Sequence, residues 1–153
     1  MAELIDGQKV ANQITARLSL RKPQRESLNI LAELLEQLQL DKEADMQQWL
    51  QLIRSQHPSM TAFERAFPSL CFALATGVGK TRLMGAMIAW LFVTRRSRHF
   101  LILAPNLTIY EKLKKDFTLG DPKYVFAGIP EMAGSPPVVI TGDDYEDGRG
   151  VRL

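Results

Sequence analysis

The stretch Leu74-Ala75-Thr76-Gly77-Val78-Gly79-Lys80-Thr81 constrains this chain more than any other. Two glycines one residue apart let the backbone curl through conformations that side chains oppose, so that successive N–H groups aim at one point. An apolar run, Ser69 to Ala75, precedes the loop. A stretch with one Gly and no Pro, Arg82 to Thr94, follows it and reads as a helix. A strand, a glycine loop and a helix in that order form a phosphate cradle, because the positive end of the helix adds to the loop N–H groups. The pattern G-x-x-x-x-G-K-[ST] is met except at its first position, where Leu74 stands for Gly. Thr76, Gly77, Val78 and Gly79 then wrap a triphosphate, Lys80 reaches its β- and γ-phosphates, and the Thr81 hydroxyl ligates Mg²⁺. The competing reading is a glycine-rich turn between two core elements with no ligand.

The remainder of the chain gives that loop a setting. Its 153 residues suffice for one compact domain, and 46% apolar with 24% charged residues is a globular composition. The net charge of +2 neither marks the chain as a nucleic-acid binder nor excludes a local basic track. The single cysteine, Cys71, has no internal disulfide partner and reads as a buried, inert thiol. Met1 to Asp6 lacks the basic flank and apolar core of a secretory signal. The longest apolar run, Leu83 to Val93, is too short to span a bilayer, so no membrane role and a cytoplasmic location are expected.

Periodicity predicts helices first. Val10, Ala11, Ile14 and Leu18 recur at helical spacing over about Gln8 to Leu18. Pro23 suits the first turn of a second helix with a stripe of Leu28, Leu31, Leu34, Leu35 and Leu38. Asp41 is a candidate N-cap for a third, with Met46, Trp49, Leu50 and Ile53 inward. A short helix is expected over Thr61 to Phe67, and another over Leu107 to Phe117, with Leu107, Tyr110, Leu113 and Phe117 inward. Leu70 to Ala75 and His99 to Ala104 are nearly all apolar, as strands buried on both faces are. The helix between them supplies a right-handed βαβ crossover. Lys123 to Phe126 is a weaker strand, Pro137 to Thr141 a stronger one, and Gly142 to Gly148 an acidic loop. The expected architecture is α/β: residues 1–60 form a helical N-terminal segment and residues 61–153 a partial nucleotide-binding domain, a parallel sheet flanked by helices.

These motifs resemble a known family. Leu74 to Thr81 is similar to the first motif of superfamily 2 nucleic-acid motors, and Leu101-Ile-Leu-Ala-Pro-Asn-Leu-Thr-Ile-Tyr-Glu-Lys-Leu113 to their motif Ia. With Lys123 to Phe126 and Val139 to Glu146, the text from about Leu20 onward resembles the restriction (Res) subunit of type III restriction enzymes. The resemblance implies a partial RecA-like P-loop NTPase domain, with ATP and Mg²⁺ as cofactors. It implies double-stranded DNA and a modification (methyltransferase) subunit as partners. It makes Gln24, in Arg21-Lys-Pro-Gln24, the adenine-reading residue, since an amide offers both a donor and an acceptor. It sets Pro105, Asn106, Leu107 and Thr108 against the nucleic-acid backbone, while plain helix capping by Asn106 is the local alternative.

Hydrolysis also needs an acidic motif, carried in the family as an Asp-Glu pair after a later strand. The nearest candidates are Asp143 and Asp144, which read equally as a solvated turn. The lack of the full motif set predicts a piece of a larger motor, inactive as an ATPase alone, with surplus apolar surface on the helix carrying Met84, Met87, Ile88, Trp90, Leu91 and Phe92. Two other functions stay open: a self-contained small P-loop enzyme using Asp143 or Asp144, and a non-catalytic regulator or decoy that keeps the motor fold. His57 and His99 are read as surface groups, Trp49 and Trp90 as core. Arg95, Arg96 and Arg98 complement a helix C-terminus or form part of a phosphate track.

Overall fold

The computed structural model describes residues 5–38, 45–63 and 65–146. Seven helices form among them: α1 (Gly7–Arg17), α2 (Lys22–Gln37), α3 (Met46–Gln56), α4 (Lys80–Val93), α5 (Leu107–Asp116), α6 (Pro130–Gly134) and α7 (Gly142–Glu146). Their ends follow local chemistry. The Asp6 carboxylate caps α1 by accepting from Lys9 N, at 2.9 Å. At the other end Leu20 N donates to Thr15 O and Ser19 N to Ala16 O, with Ser19 left-handed at φ 49°. This closing turn reverses the chain into α2, whose first turn holds Pro23. Asp45 caps α3 through Gln47 N and Gln48 N. The expected cap Asp41 lies outside the described residues. Asn106 caps α5 by accepting from Ile109 N at 3.0 Å.

α1, α2 and α4 pack against one another and build the core. α4 is apolar on every side because it is covered on several: Leu83, Ala86, Ala89 and Trp90 are buried, and Met84, Met87, Ile88, Leu91 and Phe92 are half-buried against the same cluster. Trp90 is fully buried, and its indole N–H donates to Gly7 O at 2.8 Å. Such a large ring needs a small neighbour: a Cβ on Gly7 would stand 2.9 Å from Trp90 and 2.7 Å from Glu36 Oε1. The Arg96 guanidinium lies 5.3 Å from the Trp90 ring centroid. Burial holds its pKa below the ordinary value, and Glu36 offsets part of that shift. Trp49 and Ile53 of α3 are buried, as the periodicity requires.

The expected α/β architecture is not formed. Among the described residues there is no strand and no parallel sheet, so the RecA-like sheet is corrected to a helical assembly. The segments 70–75 and 99–104 carry no regular structure, and no backbone hydrogen bond joins them among the described residues. Burial explains the discrepancy. Ile102 and Ala104 pack against the helical core, while Leu101 and Leu103 are 85% and 80% exposed. Phe72 and Leu74 likewise face the core, and Cys71 and Ala73 face outward. An apolar run signals two covered faces only when neighbours flank it. Here the helices cover one face, and among the described residues no neighbouring backbone supplies a ladder. Cys71 is accordingly exposed rather than buried.

Four smaller expectations change as well. Pro137 to Thr141 joins no strand among the described residues, with Val138 65% exposed. Residues 123–126 form a turn, which Val125 and Phe126 anchor by burying their side chains; Phe126 meets Phe117 and Tyr124 edge-on, each with centroids 5.5 Å apart. The described residues among 61–67 form no helix. α7 stands where an acidic loop was expected.

Candidate phosphate-binding site

The loop has the backbone that its glycines allow. Thr76 and Gly77 form a turn, Gly77 has φ 82°, and Gly79 has φ 89° and ψ 51° as the N-cap of α4. Both values lie in the left-handed region, where a side chain is strained. Above Gly77 there is open space, so its conformation alone calls for glycine. At Gly79 space matters too, since a Cβ would lie 2.7 Å from Gln24 Nε2. Thr76, Gly77, Gly79 and Lys80 are exposed; Val78 and Thr81 are half-buried.

Gln24 is the buried polar residue of this site, 2% exposed in the first turn of α2. Its Nε2 donates to Gly79 O at 2.9 Å, and its Oε1 accepts from Arg21 N at 2.8 Å. One amide thus ties the glycine loop to the start of α2. A cavity of about 230 Å³ opens beside it, with Ser19, Arg21 and Gln24 on one wall and Gly77, Val78, Gly79 and Arg82 on the other. Arg82 Nη1 donates to Leu18 O at 2.8 Å, which brings a second guanidinium to the cavity from α4.

Lys112 of α5 reaches the other side of the loop. Its Nζ donates to Thr81 Oγ1 at 3.2 Å and pairs with Asp116 Oδ2 at 3.2 Å. A groove of about 480 Å³ runs beside these groups, lined in part by Thr108, Lys115 and Lys123. The loop is therefore bordered by Arg21, Lys80, Arg82 and Lys112, a local positive field that a net charge of +2 conceals. The lone pairs of Thr81 Oγ1 face a cation, the Lys112 ammonium. Among the described residues no three His, Cys, Asp or Glu side chains gather to hold a metal. A divalent ion here would take its remaining ligands from phosphate and water, the coordination Mg²⁺ favours.

The other expected site residues are placed as follows. Pro105, Asn106, Leu107 and Thr108 are all exposed, and the Asn106 side chain is engaged as the α5 cap. Lys112 joins that helix to Thr81, so the start of α5 and the glycine loop belong to one neighbourhood. Asp144 accepts from Thr141 N at 3.1 Å and Thr141 Oγ1 at 2.7 Å, a turn-closing arrangement at the start of α7. His99 is exposed and His57 half-buried. Arg95 takes a left-handed turn at φ 60°, with its N–H donating to Phe92 O, and Arg96 N donates to Leu91 O, closing α4. Sequence reasoning did not single out Arg82, Lys112 and Asp116 as site residues. The i,i+4 spacing of Lys112 and Asp116 foretells their pairing, but nothing local foretells the contact with Thr81.

The glycine loop thus opens a helix, is bordered by cations and is braced by a buried amide. The family model for the res subunit of type III restriction enzymes matches residues 17–141, most of the chain. The chain belongs to that family, and the match covers a helicase-like motor region. No curated protein and no solved structure matches it. Among the described residues no helix is long and apolar enough to cross a membrane.

Proposed function

We propose that this chain is the ATP-binding part of a superfamily 2 DNA translocase motor, from the Res subunit of a type III restriction endonuclease. The observation that carries the reading is the pair of left-handed glycines, 77 and 79, directly ahead of Lys80, Thr81 and the start of α4. Thr76 to Gly79 offer N–H groups to the phosphates, Lys80 supplies charge-assisted contacts, and Thr81 holds Mg²⁺. Mg²⁺ bound there would neutralise phosphate charge. The base is placed in the cavity beside Gln24, whose amide keeps one N–H and one lone pair beyond those used by Gly79 and Arg21. The exposed segment Pro105 to Thr108 faces the DNA backbone. ATP hydrolysis and translocation belong to the full cytoplasmic assembly with its modification subunit, and the role assigned to this chain is binding.

Calorimetric titration with a non-hydrolysable ATP analogue tests the reading. Lys80→Ala is expected to weaken binding by about 1.5–3 kcal/mol, the scale of a lost charged hydrogen bond. Equal affinity in the variant would contradict it.

A further inference from the structure

The contact between Lys112 and Thr81 has a chemical consequence for the same site. The hydroxyl oxygen that the phosphate-loop reading assigns to Mg²⁺ carries an ammonium group at 3.2 Å. That ammonium is also 3.2 Å from a carboxylate oxygen of Asp116, whose side chain is 7% exposed, whereas Lys112 itself is 53% exposed. The nearly buried partner is fixed and the long lysine stem is free to swing. A monovalent cation on a flexible stem thus occupies the neighbourhood where a divalent ion would bind. Two cations cannot share one hydroxyl oxygen at contact distance without strong repulsion.

We infer that Lys112 is a resident cation at Thr81 and competes there with the divalent metal of the nucleotide. This rests on the phosphate-loop reading of residues 76–81. In the metal-free state Lys112 lies across Thr81 and lends its charge to any triphosphate held by the loop. When the metal binds, Lys112 withdraws from Thr81 and keeps only Asp116. The side chain therefore lowers the metal's affinity and raises that of metal-free nucleotide. Because Lys112 lies on the helix that Asn106 opens, the exchange also gives α5 a different tie to the loop in each state.

The test uses the full chain with a saturating non-hydrolysable ATP analogue. Mn²⁺ serves as the metal probe, read by electron paramagnetic resonance of the free ion, and calorimetry reads the analogue in the presence of a chelator. Lys112→Met is expected to tighten Mn²⁺ roughly tenfold, the scale of removing one positive charge beside a divalent ion in a water-exposed site. It should also weaken the analogue several-fold without metal, and Lys112→Arg should change both far less. If leaving Asp116 unpaired prevents folding, the double variant Lys112→Met with Asp116→Asn removes the pair together and is expected to tighten Mn²⁺ by a smaller factor, since a negative charge leaves with the positive one and only the cation across Thr81 is lost. Analogue bound with Mn²⁺ affinity unchanged or weakened would overturn this inference and leave the loop reading standing. Analogue bound by neither the parent nor the variant would overturn both.

Discussion

At the scale of the residue, Gln24 connects two parts of the site with one amide. It holds Gly79 O and Arg21 N at once, in a position 2% exposed. Truncation would strand both backbone groups, so Gln24→Ala is expected to destabilise the fold by about 1–3 kcal/mol, measured by urea denaturation. Gln24→Glu separates the two bonds: it keeps the acceptor for Arg21 N and loses the donor to Gly79 O. If Gln24→Ala leaves the denaturation midpoint unchanged, the tie is not structural. Tyr124 sets a second residue-scale expectation. Its hydroxyl is buried and has no hydrogen-bond partner among the described residues, and burial raises its pKa. The folded pKa lies above the unfolded value of about 10, so the contribution is intact below that pH and falls as pH rises through the folded pKa. A pH series of denaturation midpoints should show an alkaline decline that Tyr124→Phe flattens; the same decline in that variant would place its cause elsewhere.

At the scale of the element, α4 organises the molecule. It begins at the glycine loop, buries Trp90 at its far end, and meets α1, α2 and the turn that holds Val125. The closest approach is at Gly85, where a Cβ would stand 2.7 Å from Val125 Cβ. Gly85→Ala is therefore expected to lower stability by about 1–3 kcal/mol despite the better helix propensity of alanine. A stabilised variant in thermal melts would mean that the turn yields freely. Helices such as this were legible because their signals are local. The 3.6-residue stripes of α1 and α2, Pro23 at the start of α2 and Asn106 at the start of α5 each depend on residues within a turn or two. The extended segments were legible only in part. Their apolar runs give chain extension and one covered face, but pairing depends on distant backbone, and Leu101 and Leu103 ended at the surface. An apolar residue in such a run reads alike whether a strand or water lies beyond it.

At the scale of the whole molecule, a three-helix core presents one glycine loop between two long-range ties. Gln24 reaches it across 55 residues and Lys112 reaches Thr81 across 31. The loop itself was plain in the sequence, because glycine spacing and Lys-Thr are contiguous text. The ties were not, since neither partner's neighbours in the chain hint at the contact. The positive surroundings were concealed in the same way: Arg21, Arg82 and Lys112 converge only when α1, α2, α4 and α5 assemble. The central claim is that this assembled loop grips a polyphosphate through its own main chain. Amide chemical shifts in a ¹⁵N-labelled sample, titrated with a non-hydrolysable ATP analogue, test it most directly. The account predicts the largest shifts at the N–H groups of Gly77, Val78, Gly79, Lys80 and Thr81. Saturable shifts confined to other segments, with those five amides unmoved, would contradict it.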